Sequence, residues 1–347
     1  MKQTLRHAGR VLFCLVFALA FHFPFLAPAS ALEYTYEVRG PLPIPPAERN
    51  LVTEKGKLYF DVSTDNRILE GAVFDRDGSL LFCDVTGKRI MRLTEDKKLS
   101  EVYAMQDGYA PSGLAFHRDG RLFVVANKSG KDEGGIFALD LASGKLETIL
   151  SPTLGYRPND LCFDKNGGFY FTDFRGSATE PLGGAFYASP DFKTITPVIP
   201  HLAKANGVAL SPDGKTLYVT EFARNVLHLV MLASPTRALP TGSFVAYYFT
   251  GPGPDSMRVD SDGNLYIGIV RQGRVLCLNK YGIPIGQVLL PGREKERHIR
   301  TTCMAIKPGS RKMLILTGSD RANHVDGSHI FEATAFAPGL SHPVNSK

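Results

Sequence analysis

Apolar and polar positions along the chain fall into a repeat that keeps its phase. Six times, a short apolar run meets a turn centred on glycine and resumes as a second apolar or aromatic run. The copies are Ala72–Asp84 (AVFDRDGSLLFCD), Leu114–Ala126 (LAFHRDGRLFVVA), Leu161–Asp173 (LCFDKNGGFYFTD), Val208–Glu221 (VALSPDGKTLYVTE), Met257–Gly268 (MRVDSDGNLYIG) and Met304–Thr317 (MAIKPGSRKMLILT). The turn glycines Gly78, Gly120, Gly167, Gly214, Gly263 and Gly309 are spaced by 42, 47, 47, 49 and 46 residues. Asp-Gly and Asn-Gly tolerate the positive φ of tight turns, and the flanking Val, Phe, Leu and Tyr favour strands. Most copies continue with a third apolar run, such as Gly135–Leu139, Gly184–Tyr187, Val226–Val230 and Arg274–Leu278. A fourth follows at Lys145–Leu150, Thr196–Ile199 and Gly286–Leu290.

Four antiparallel strands in a period of this length make one propeller blade. The fold class is therefore all-β, a six-bladed β-propeller with four antiparallel strands per blade. The last copy, ending at Phe331–Phe336, is one strand short. Lys57–Val62 in the early segment is expected to complete it and close the ring, removing two exposed sheet edges. The domain plan is an N-terminal extension over 32–66, a propeller over 67–340 and a tail over 341–347.

The first 31 residues stand apart. Lys2, Arg6 and Arg10 precede the almost wholly apolar Val11–Ala20, and Pro28 introduces Ala29-Ser30-Ala31. That is the pattern of a cleaved secretory signal. An uncleaved anchor is the alternative, but Val11–Ala27 is short for a span and contains His22 and Pro24. Cys14 follows Phe13, which argues against a lipoprotein cysteine. The mature protein is expected to be secreted or periplasmic, with no membrane contact after cleavage. Losing the leader lowers the formal charge from +6 to +3. With no lysine/arginine run, no nucleic-acid partner is implied, and none of protein either. Cys83, Cys162, Cys277 and Cys303 sit in strand-like apolar runs, as buried structural thiols do.

Eight residues before each turn glycine stand Glu70, Ser112, Asn159, Asn206, Asp255 and Thr301. All are polar although apolar strand follows, and their shared phase places them at one height facing the axis. Two carboxylates converging there repel unless a cation lies between them. An oxygen-only donor set of Glu70, Asn159, Asn206 and Asp255 suits a hard ion, calcium ahead of magnesium or manganese. Polar lining of a wet channel is the competing reading, and for Ser112 or Thr301 taken singly it is the better one. Asp84, Asp173 and Glu221, at second-strand ends, either rim the pocket or bond to turn amides. Tyr109, Tyr156 and Arg157 precede inner strands where substrate-facing loops lie. His298 lies three residues before Thr301, where it could assist proton transfer. These four are candidate substrate contacts. No Gly-x-Ser-x-Gly or Gly-x-x-x-x-Gly-Lys element occurs, so serine-hydrolase and nucleotide chemistry lack support.

Leu69-Glu70-Gly71, Arg157-Pro158-Asn159-Asp160, Ala205-Asn206-Gly207 with Leu210–Val219, and Gly253-Pro254-Asp255-Ser256 resemble the senescence marker protein (regucalcin)/gluconolactonase/luciferin-regenerating enzyme family. Gly167–Pro197, Tyr247–Gly251 and Tyr281–Gln287 are similar to its drug-responsive bacterial lactonase branch. The resemblance runs from about Ile68 to Phe336. It implies a metal-dependent lactonase acting on small cyclic esters, with Glu70, Asn159, Asn206 and Asp255 as ligands of one catalytic Ca2+. It also implies Asp255 as acid/base and Ser256 at a further metal-contacting position. Mg2+, Mn2+ or Zn2+ are possible substitutes. Asn159 stands where that branch carries aspartate. The branch's second, structural calcium does not align at Lys128–Gly134 and is unassigned. The alternatives are a phosphotriesterase on the same centre, or a non-catalytic ligand-binding propeller.

Overall fold

The computed structural model of the chain describes residues 42–318 and 327–343. The expected leader, 1–31, and residues 344–347 of the expected tail lie outside the described residues. Six sheets follow one another along the chain, each built as an antiparallel meander. Their innermost strands are Leu69–Phe74, Tyr109–Phe116, Pro158–Phe163, Ala205–Leu210, Pro254–Val259 and Arg300–Ile306, here the first strands of blades 1 to 6. Each of these neighbours the first strand of the next blade, and that of blade 6 neighbours that of blade 1, so the six line a common axis. The architecture is a six-bladed β-propeller with four antiparallel strands per blade.

The repeat turns explain the regular blades. All six turn glycines adopt positive φ, from 65° at Gly309 to 97° at Gly120. In blade 1, Asp75 N–H bonds Ser79 C=O and Gly78 N–H bonds Asp75 C=O. A side chain in the turn supplies a further acceptor: Asp77 takes Ser79 N–H, and Asp164 takes Gly168 N–H. Such Asx bonding pre-forms the reversal before the sheet assembles.

Packing follows the strand alternation. Six apolar cores occupy the six gaps between consecutive blades. The one between blades 6 and 1 joins Leu69, Phe82 and Met91 to Cys303, Leu314 and Ile330. The fourth strand of blade 6 is Lys57–Ser63, antiparallel to Ser328–Thr334. Blade 5 carries an additional strand, Val52–Lys55, parallel to Pro284–Leu289, which the sequence pattern did not single out. The N-terminal segment is fastened to blade 5 by a buried pair, in which Arg274 donates to Glu48 and to Gln287. The four cysteines in the described residues are free thiols, three of them buried. Burial holds all four well above the usual thiol range.

Candidate functional site

One irregularity recurs in every first strand. Its register against the second strand slips between Glu70 and Val73, Pro111 and Gly113, Pro158 and Leu161, Ala205 and Val208, Pro254 and Met257, and Thr301 and Cys303. All six polar ring positions fall at or inside the slip, Glu70 and Thr301 at its edge and the other four within it. A bulge adds a residue on one strand and re-aims a side chain out of the pleat. This local break lets polar residues sit at the axis while their strand neighbours pack into the cores.

Hydroxyls of neighbouring blades hold this irregular backbone. Ser112 donates to Asn159 C=O at 3.1 Å, and Thr220 donates to Asp255 C=O at 2.9 Å. Thr172 donates likewise to Asn206 C=O, and Thr302 to Leu69 C=O. Close approach requires small residues. A Cβ on Gly207 would lie 2.7 Å from Met257 N and 2.8 Å from Asp255 O.

The ring is electrostatically loaded. Burial, then Asp255 and Asp160, hold the Glu70 carboxyl well above its usual range, against the easing charges of Arg300 and Arg258. Burial pushes Asp255 up to about 7, although the Asn206 side chain, Arg300 and Ser256 N–H favour its ionised form. The structure thus brings Asp255 within reach of both Glu70 and Asn206. Ser256 is buried and supports Asp255 through its backbone. Asn206 Oδ1 and Thr301 Oγ1 are buried and lack a hydrogen-bond partner among the described residues. Such orphaned acceptors are costly in a folded protein. The buried carboxylate of Asp255, the half-buried one of Glu70, a buried amide oxygen without a donor and the half-buried amide of Asn159 fit a hard cation. Among the described residues no cluster of three or more His, Cys, Asp or Glu is placed to hold a metal.

The other candidates have contacts of their own. Tyr109 donates to Glu133 and packs edge-on against Phe137. Tyr156 packs on Phe171 and Phe186 of its own blade. His298 stands edge-on to His329 at 4.6 Å and against Phe331. Arg157 stands two residues before Asn159, its guanidinium 5.7 Å from the Phe174 ring. Asp84, Asp173 and Glu221 take the amide-bonding alternative. They accept from Gly87 N, Arg157 N and Ala203 N, and each also meets a basic side chain.

One pair was missed. Asp160, 1% exposed, accepts from Arg258 Nη1 at 3.0 Å, and Arg258 also donates to Met257 C=O and Ala72 C=O. The guanidinium thereby ties blades 5, 3 and 1 together just behind the ring. A signal existed: three residues past the ring position the blades carry Val73, Ala115, Cys162, Ala209, Arg258 and Met304, with a charge in blade 5 alone.

A propeller with an oxygen-donor centre on its axis defines a class that known proteins narrow further. The model of the SMP-30/gluconolactonase/LRE-like region matches residues 68–319. The chain is 43% identical over 311 residues to lactonase drp35 of Staphylococcus haemolyticus, covering 89% of this chain and 95% of that one. It is 45% identical over 301 residues to lactonase drp35 of Staphylococcus saprophyticus, with 86% and 92% covered. Among solved structures, regucalcin from Agrobacterium tumefaciens, described as a calcium-binding protein, superposes with TM-score 0.67 at 20% identity, over 83% of this chain and 98% of that one. A gluconolactonase from Xanthomonas campestris gives 0.63 at 18% identity, over 84% and 99%. The chain belongs to the SMP-30/gluconolactonase/LRE-like family.

Proposed function

We propose that this protein hydrolyses small lactones at a divalent cation, calcium by preference, held by Glu70, Asn159, Asn206 and Asp255 with Ser256 alongside. The observation that carries the reading is the coincidence of the Glu70–Asp255 carboxylates with the buried, donorless Oδ1 of Asn206. The drp35 lactonases, at 40–45% identity over most of the chain, supply the reaction type.

When bound, the cation would supply Lewis-acid polarisation of the ester carbonyl and stabilise the negative charge that develops there. The remaining work belongs to side chains of the chain. Asp255 accepts a proton from the attacking water or returns one to the leaving alkoxide, a task its buried setting suits. Asn206 and Ser256 N–H orient that carboxylate. Thr220 fixes its backbone from the next blade. The half-buried Arg300 faces both ring carboxylates with positive charge and keeps them ionisable. The leader pattern supports export, and we propose a secreted or periplasmic setting.

The test is a panel of small lactones assayed with the mature chain, after chelation and after return of calcium. Chelation should abolish hydrolysis and calcium should restore it, while calorimetry of the stripped protein shows a one-site calcium isotherm. Unchanged turnover after exhaustive chelation would sink the reading. Hydrolysis of a phosphotriester in preference to every lactone would replace it with the phosphotriesterase alternative.

A further inference from the structure

The channel continues behind the polar ring and changes character. Past the bulges, Val73, Ala115, Cys162, Ala209 and Arg258 line a cavity of about 280 Å³, with Phe74, Phe116, Phe163, Leu161 and Met257 among its walls. Leu340–Pro343 also line it. There His342, 5% exposed, packs on Phe116 at a ring separation of 4.8 Å. Burial holds His342 below its usual range, so it is uncharged at neutral pH. Arg258 is then the one charged side chain among the described lining residues.

That guanidinium is fixed but not exhausted. Nη1 serves Asp160 and Met257 C=O, and Nη2 serves Ala72 C=O, while Nε has no acceptor among the described residues. A fifth of the Arg258 side chain remains accessible, and it forms part of the cavity wall. A guanidinium offers five N–H donors in a rigid fork, so capacity is left for one more oxygen. A mostly apolar chamber with one charged group in its wall and Ser341 and His342 as its other polar side chains has the make-up of a small-molecule site. A cavity of roughly 150 Å³ takes a benzene ring. The chamber here holds a single ring with a short polar arm.

We infer that the chamber behind the ring is a second binding site, for a small aryl or alkyl molecule whose one carbonyl or carboxylate oxygen accepts from Arg258. This site is distinct from the proposed metal centre and stands whether or not that centre hydrolyses lactones. The rigid walls and the three-blade anchorage of Arg258 pre-organise it, which lowers the ordering cost of binding.

The experiment titrates the full mature chain with phenylacetate, phenylacetamide and toluene, by calorimetry and by ligand-observed NMR, with calcium and with chelator. Phenylacetate, phenylacetamide or both should bind one-to-one, at least tenfold more tightly than toluene, and the better of the two names the preferred acceptor. Ala115→Phe fills the chamber and should weaken binding at least tenfold. Val73→Phe, on another wall, serves if the first variant does not fold, and thermal melts establish which does. Binding should survive chelation. Four results each overturn the inference: no probe binds the folded protein; toluene matches the oxygen-bearing probes; binding persists in a folded, filled variant; or binding is lost when calcium is removed.

Discussion

Replacing Asp255 by asparagine should change stability in opposite directions depending on the cation. The side chain is buried, and its carboxyl is pushed from 3.8 up to about 7 in the cation-free chain. The native state therefore holds a proton that the unfolded chain has already released. As pH rises from about 4 through about 7, folding must accommodate an ionised carboxylate that burial and Asp160 oppose, so cation-free stability falls across that window. At about 1.4 kcal/mol for each factor of ten, the penalty from Asp255 above pH 7 is of the order of a few kcal/mol. Asparagine has the same shape and keeps an oxygen for Asn206 and Ser256 N–H, but carries no charge. The stripped D255N protein should melt about 5 °C above stripped wild type at pH 8, taking roughly 2 °C per kcal/mol for a domain of this size. At pH 4 the two should melt together. Calcium should raise the wild-type melting temperature through mass action and leave D255N nearly unmoved. The assay is a thermal melt at pH 4 to 8, with and without chelator. If stripped D255N is no more stable than wild type at pH 8, the two carboxylates do not share a cation-requiring site.

A second readout of D255N and two further changes probe the same centre from different sides. D255N should also reduce lactone turnover by roughly 10²-fold or more at saturating calcium, the loss expected of a proton-transfer group. A residual rate within threefold of wild type rules that role out. Arg258→Met leaves Asp160 buried without its counter-charge and should cost about 3–5 kcal/mol in urea unfolding; adding Asp160→Asn should recover most of it. Gly207→Ala inserts a methyl 2.7 Å from Met257 N and should force blades 4 and 5 apart. Calcium affinity by titration should then fall at least tenfold, and an unaltered affinity would mean the blades are not fixed at that contact.

What could be read in the sequence depended on whether a feature repeated. The turn glycines and the flanking apolar runs recur in all six blades, so strand number, blade number and the ring positions follow from spacing alone. Glu70, Asn206 and Asp255 were legible because each breaks the apolar pattern at the same phase. Features confined to one blade were not legible in that way. The strand Val52–Lys55 is largely exposed and carries no alternation, since its hydrogen bonds to Pro284–Leu289 require none. The aromatic and histidine candidates illustrate the converse. Tyr109 opens a first strand and Tyr156 and His298 precede theirs, but each has ring contacts on later strands of its own blade, which linear position does not encode.

Arg258 and Asp160 show why the irregular positions carry the chemistry. A six-fold repeat with identical blades would place one residue type around the axis, and six like side chains can neither balance a charge nor grade a channel. Departures from the repeat create the asymmetry: two carboxylates among six ring positions, one guanidinium among six positions behind them, and one acidic residue following a ring amide. The guanidinium neutralises Asp160, and its field eases ionisation of Glu70. It also separates a polar forward section of the channel from an apolar rear one. Exchanging Arg258 for a neutral residue should therefore do more than destabilise the fold. In the folded Asp160→Asn/Arg258→Met protein, calcium affinity and phenylacetate binding should both change, because one side chain forms the back of the first site and the anchor of the second. A double variant that folds and keeps both affinities would show the two sections of the channel to be independent of it.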